Sequence, residues 1–127
     1  MASDLKLITP GVPDKKTVFA LTRSYYKELI EGGVQIYEYT PGFIHAKTFV
    51  SDDTTAVTGS INLDYRSLYL HFECAALLYR TPAVADIEAD FQKTLEQCRH
   101  ISSEDCRRDR LGRRIMGWLL RPLAPLM

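Results

Sequence analysis

The sequence is poor in the features that announce several large classes of protein. Its 127 residues hold three cysteines, Cys74, Cys98 and Cys106, with no C-x-x-C pair. An odd count without that spacing argues against a disulfide frame and reads as free thiols of a reducing compartment. No apolar run approaches the ~18 residues of a membrane span, so no transmembrane helix is expected within the chain. Met1-Ala2-Ser3-Asp4 lacks the basic start and apolar stretch of a signal peptide. There is no internal repeat and no low-complexity tract. Neither sign of charge dominates: Lys plus Arg and Asp plus Glu number 16 each. That balance, without a basic groove in the central sequence, argues against a nucleic-acid partner.

What is present is an alternation of short elements that fits one domain. Leu5–Ile8 reads as a strand. Asp14 is placed to cap a helix running to about Glu31, with Val18, Leu21, Tyr25 and Leu29 on its buried face. Gly32-Gly33 stops it. Val34–Tyr39 alternates as a strand, and Pro41-Gly42 turns into a further strand over Ile44–Val50. Ser51-Asp52-Asp53-Thr54 makes a turn, and the chain returns over Thr55–Gly59 as a hairpin. Phe72–Tyr79 is apolar enough for a central strand. Thr81-Pro82 opens a second helix, with Val84, Ile87, Phe91, Leu95 and Cys98 as its stripe and an end near His100. The order predicts an α/β fold, a mixed sheet flanked by helices.

One stretch carries chemistry. His45, Lys47, Asp52, Gly59, Ser60 and Asn62 spell H-x-K-x(4)-D-x(6)-G-S-x-N, and Glu73 follows. On a strand, residues two apart share a face, so His45 and Lys47 point together, about 7 Å apart, and so do Ser60 and Asn62. The set makes a phosphate site. Lys47 supplies charge, Ser60 and Asn62 supply donors, and His45 attacks or protonates. Glu73 interrupts an apolar run, where a carboxylate is costly unless paired; an imidazole is its expected partner. H-x-K alone is common on strand surfaces. The full spaced set is specific.

The signature resembles that of the phospholipase D superfamily. Leu7-Ile8-Thr9-Pro10, Thr22–Leu29, Tyr37–Lys47 and Asn62–Glu73 are similar, within it, to the C-terminal half of bacterial cardiolipin synthases. The resemblance implies a phospholipase D-like domain over residues 1–106, the second half of a tandem enzyme, followed by a basic tail over 107–127. It implies catalytic roles for His45, Lys47, Asp52, Asn62 and Glu73, with Lys47, Ser60 and Asn62 holding phosphate. Asp52 falls in the hairpin turn, and its expected role is structural. No metal or cofactor is implied. The implied substrate is phosphatidylglycerol. A second H-x-K must come from an N-terminal phospholipase D domain or from a second copy of this chain. The implied location is the cell membrane, with this domain on the cytoplasmic side. A homodimeric phosphodiesterase, phospholipase or nuclease, stays open beside this, as does a fragment that only binds membrane.

The tail changes character. Between Arg107 and Arg121 there are six arginines and one acid, Asp109. Leu111, Ile115, Trp118 and Leu119 recur at helical spacing. Two readings fit: a segment lying on an anionic membrane surface, or a helix packed on its own domain with its arginines in water.

Overall fold

The computed structural model describes residues 4–13, 15–108 and 111–126, and for Arg113 and Arg114 the backbone alone. The chain divides into two compact units, Met1–Ile44 with Gln97–Ala124, and His45–Glu96 with Pro125–Met127.

The first unit is built on a three-stranded sheet. β1 (Lys6–Pro10) runs parallel to β2 (Gln35–Tyr39), and β6 (Cys98–Ile101) lies antiparallel on the other side of β2. Between β1 and β2 the expected single helix is two, α1 (Lys16–Ser24) and α2 (Tyr26–Glu31). The break at Tyr25 changes the buried face. Val18 and Leu29 are exposed, whereas Leu21 and Tyr26 are buried. The expected cap, Asp14, lies outside the described residues. The glycine stop is as expected: Gly33 takes a φ of 95°, its N–H donates to Ile30 C=O, and Val34 N–H reaches back to Leu29 C=O at 2.9 Å.

Tyr26, Ile36 and Ile101 form the core of this unit, and each apolar side chain buried there contributes about 1.5–3 kcal/mol. The alternation read in β2 holds, because Ile36 and Glu38 point inward. Burial of Glu38 was not foreseen. Its carboxylate accepts from the Tyr26 hydroxyl at 3.2 Å and from Arg99 at 3.5 Å, and it pairs with Arg23 at 3.5 Å. Tyr26 also bonds Thr9 at 2.7 Å, and burial pushes its hydroxyl well above the ordinary tyrosine range.

The second helix ends earlier than expected. α3 covers Pro82–Leu95, with Thr81 as its N-cap residue and Pro82 in its first turn, and His100 lies instead in β6. β6 is too short to show a period, and pairing with β2 decides it. His100 stacks against Tyr37, with ring centroids 5.0 Å apart. α4 (Ser103–Arg108) opens on a reciprocal capping box. Asp105 N–H donates to the Ser102 hydroxyl, and Ser102 N–H donates back to Asp105 at 2.9 Å, which holds that carboxyl below its usual range. α5 (Leu111–Leu120) and a 3-10 turn (Arg121–Leu126) complete the chain.

The second unit is an antiparallel sheet in the order β3 (Thr48–Ser51), β4 (Thr55–Gly59), β5 (Ala75–Tyr79), with α3 against all three strands. Ala56 and Val84 are buried in this unit. Two expectations are corrected here. The strand expected over Ile44–Val50 begins only at Thr48, so His45 and Lys47 precede it. The strand expected over Phe72–Tyr79 begins at Ala75, lies at the edge of the sheet and exposes Leu77 and Tyr79. The hairpin itself is as read. Asp52 and Asp53 both take positive φ, 52° and 54°, and Thr54 N–H donates to Ser51 C=O. Such turns match the twist of the strands they join, and aspartate tolerates that conformation.

Candidate active site

The end of β4 organises the signature residues. Gly59 N–H donates to Lys47 C=O at 3.2 Å, and Ser60 N–H donates to Cys74 C=O at 3.0 Å. The H-x-K arm is thus tied to one side of β4 and the Glu73 arm to the other. Gly59 permits this. A Cβ there would lie 2.3 Å from Cys74 O and 2.6 Å from Ala75 Cα, both of them backbone atoms. In the sequence Gly59 stands only as a letter of the motif; in the fold its task is the close approach of β5.

Lys47 donates a hydrogen bond to His45 Nε2. The imidazole is exposed and the lysine half-buried, so the pair opens to solvent. Ser60 donates to Glu73 Oε2 at 2.5 Å and accepts from Cys74 N–H at 3.0 Å. Asn62 donates to the Ser67 hydroxyl at 3.4 Å, and Ser67 N–H donates to Asp64 Oδ1 at 2.7 Å. Hydrogen bonds from Ser60 and then Ser67 hold the Glu73 carboxyl below its ordinary range. An imidazole is the partner expected for Glu73 from the sequence; the hydrogen bonds that hold its carboxyl here come from two hydroxyls, Ser60 and Ser67.

Ser67 went unnoticed in the sequence, yet it is buried and links Asn62 to Glu73. It sits in a π-helical turn, Arg66–Leu70, closed by the His71 N–H donating to Arg66 C=O at 2.8 Å. The available signal is Asp64-x-x-Ser67, a side-chain acceptor two residues before the helical start at Arg66 and three before the N–H it takes. The geometry therefore joins His45 to Lys47, Ser60 to Glu73, and Asn62 to Ser67. It leaves Asp52 apart, at the far end of β3, five residues and about 16 Å of strand from Lys47. An imidazole next to an ammonium, with hydroxyl and amide donors on the adjoining strand end, is a set suited to a phosphodiester.

A solved structure fixes the class of fold. The phospholipase D family member Nuc from Salmonella typhimurium superimposes with a TM-score of 0.65, over 79% of this chain and 65% of that one, at 20% sequence identity. The fold is that of the phospholipase D family. The family described as "Cardiolipin synthase, PLD-like domain" matches residues 3–95, and the chain belongs to it. Cardiolipin synthase 2 of Bacillus cereus is 42% identical over 98% of this chain, and the cardiolipin synthase of Halalkalibacterium halodurans 41% over the same share. A Streptococcus mutans protein described only as uncharacterised is 49% identical over 98% of the chain. The chain spans about a quarter of the length of these curated relatives, 24%, 25% and 27% respectively.

Proposed function

We propose that this chain supplies the second phospholipase D half of a cardiolipin synthase, with residues 1–106 as the catalytic half-domain and 107–127 as its basic tail. The reaction transfers a phosphatidyl group from one phosphatidylglycerol to another and releases glycerol. A histidine nitrogen attacks phosphorus, the P–O bond to glycerol breaks, and the second histidine protonates the departing alkoxide. That same histidine then takes the proton of the incoming phosphatidylglycerol hydroxyl. The new oxygen displaces the first histidine, and cardiolipin leaves.

In this reading His45 is the general acid and base, a task worth roughly 10²–10⁴ in rate. Lys47 and Asn62 hold the phosphoryl oxygens, Ser60 supports them, and Glu73 orients His45. Asp52 keeps the motif's hairpin in shape. The observation that carries the reading is the hydrogen-bonded His45–Lys47 pair tied through Gly59 to the Ser60–Glu73 pair, in a chain of this family. The partners are phosphatidylglycerol, an anionic membrane surface at the cytoplasmic face of the cell membrane, and a second H-x-K domain. Among the described residues no helix is long and apolar enough to cross a membrane.

In-line displacement needs one group on each side of phosphorus, and one imidazole cannot occupy both. Neither other histidine offers an H-x-K: His71 is followed by Phe72-Glu73 and His100 by Ile101-Ser102. The partner is therefore an N-terminal phospholipase D domain or a second copy of the chain. Glycerol release from phosphatidylglycerol is the assay. Adding the N-terminal half of a cardiolipin synthase should restore release, and His45→Ala should abolish it. Activity per chain that stays constant on dilution to a demonstrably monomeric protein would overturn this mechanism. Phosphatidic acid as the product, with no cardiolipin, would favour a water-using phosphodiesterase instead.

A further inference from the structure

A helix at the surface of a globular domain ordinarily turns its apolar stripe inward and its polar side to water. α5 does the reverse. Among its described side chains, the residue of α5 that is buried where the helix meets α1 is Gly117, and Arg121, the first residue of the 3-10 turn that follows, reaches across. A Cβ on Gly117 would lie 2.8 Å from Ser24 Cβ and 2.9 Å from Ala20 O, so the two helices meet almost backbone to backbone. Arg121 fixes the rotation of the helix. It donates to Ser24 C=O at 2.6 Å and to Glu28 at 2.7 Å, and its guanidinium lies 4.6 Å from the Tyr25 ring centre. The stripe read from the sequence is left outside: Leu111, Ile115, Trp118 and Leu119 are 70, 51, 68 and 56% exposed.

The charge around this stripe tells what covers it. With Arg121 turned inward to Glu28, the sequence from Arg107 to Arg114 still holds five arginines against one aspartate, a net +4 in a chain whose total is +0. Arg107 and Arg108 are exposed at the end of α4, just ahead of the stripe. Burying such a segment against protein would desolvate charges, whereas an anionic lipid surface takes apolar side chains below the headgroups and arginines beside them. We propose that the outward face of α5 is a membrane-docking surface, laid flat on an anionic leaflet and braced from behind by the Gly117–Arg121 contact with α1. It deepens the membrane part of the proposed function and does not depend on the transfer chemistry. The two readings of the tail are thereby joined, since the helix packs on its own domain by one side and offers the other to lipid.

The test uses the intact chain and its single tryptophan, Trp118, as the probe. Vesicles of phosphatidylcholine mixed with phosphatidylserine supply anionic charge without the proposed substrate, so failure here is distinct from failure of phosphatidyl transfer. Trp118 emission should shift to the blue, and the protein should pellet with these vesicles but not with phosphatidylcholine alone. Binding should weaken as salt rises from about 0.1 M to about 1 M, where screening falls from ~10 Å to ~3 Å. The double variant Ile115→Ser, Leu119→Ser, both exposed and checked for unchanged circular dichroism, should partition about tenfold or more weakly. Should that variant misfold, Trp118 in the native chain still decides, through quenching by brominated lipid tails. Three results would overturn the proposal: no blue shift on anionic vesicles, equal binding by a folded double variant, or a blue shift that follows protein concentration without lipid, which would assign the face to a second copy.

Discussion

Gly59→Ala should loosen the unit that holds the signature. The added methyl carbon would sit 2.3 Å from Cys74 O, 2.6 Å from Ala75 Cα and 2.8 Å from Ala75 Cβ. Comfortable carbon contacts are about 3.5–4.0 Å, so β5 must retreat from β4 by about 1 Å at this register. None of the three atoms is the free end of a flexible side chain. The overpacking should cost about 1–3 kcal/mol. Strain on the Ser60 N–H bond to Cys74 C=O, now 3.0 Å, adds about 0.5–1.5 kcal/mol if it is lost. Alanine returns about 0.4–1 kcal/mol by restricting the unfolded chain. The net loss is about 0.5–4 kcal/mol, or roughly 2–16 °C in Tm at about 4 °C per kcal/mol. Urea unfolding followed by far-UV circular dichroism measures it, with Gly42→Ala as the control, because a Cβ on Gly42 meets nothing within 4 Å. The same retreat displaces Ser60 and Glu73, so transfer activity of the reconstituted enzyme should fall as well. A Gly59→Ala midpoint equal to that of the control would refute the close-approach argument.

Two further outcomes follow from the hydrogen bonds. The Glu73 carboxyl lies below its ordinary value of 4.5 because Ser60 and then Ser67 donate to its ionised form. The stabilisation this gives is therefore complete above that value and is lost as pH falls through the lowered one. Ser60→Ala should move the titration back up toward the ordinary value, read by NMR of the side-chain carboxyl, and an unmoved titration would dissociate Ser60 from it. Tyr26→Phe removes the hydroxyl that bonds both Thr9 and Glu38, leaving buried polar groups short of a partner. It should cost about 1–3 kcal/mol, seen as a lower urea midpoint at unchanged slope.

Local chemistry made much of this protein legible. The hairpin turn at Asp52-Asp53, the glycine stop at Gly33 and the start of α3 at Pro82 depend on residues next to one another, and each lies where the sequence put it. The H-x-K and G-S-x-N spacings likewise pointed to the family to which the chain belongs, because a motif of that kind is written in intervals along the chain. Tertiary structure decided what distant segments do to one another. β6 exists because β2 offers it an edge, and Glu38 is tolerated inside because Arg23, the Tyr26 hydroxyl and, from 61 residues away, Arg99 reach it. Pairing with β4 begins at Thr48, so His45 and Lys47 stand before the strand rather than on it. The stripe on α5 was read correctly as amphipathic, but periodicity carries no information about which side a neighbour will take. A glycine small enough to bring α1 into contact settled that, and so left the apolar side outside.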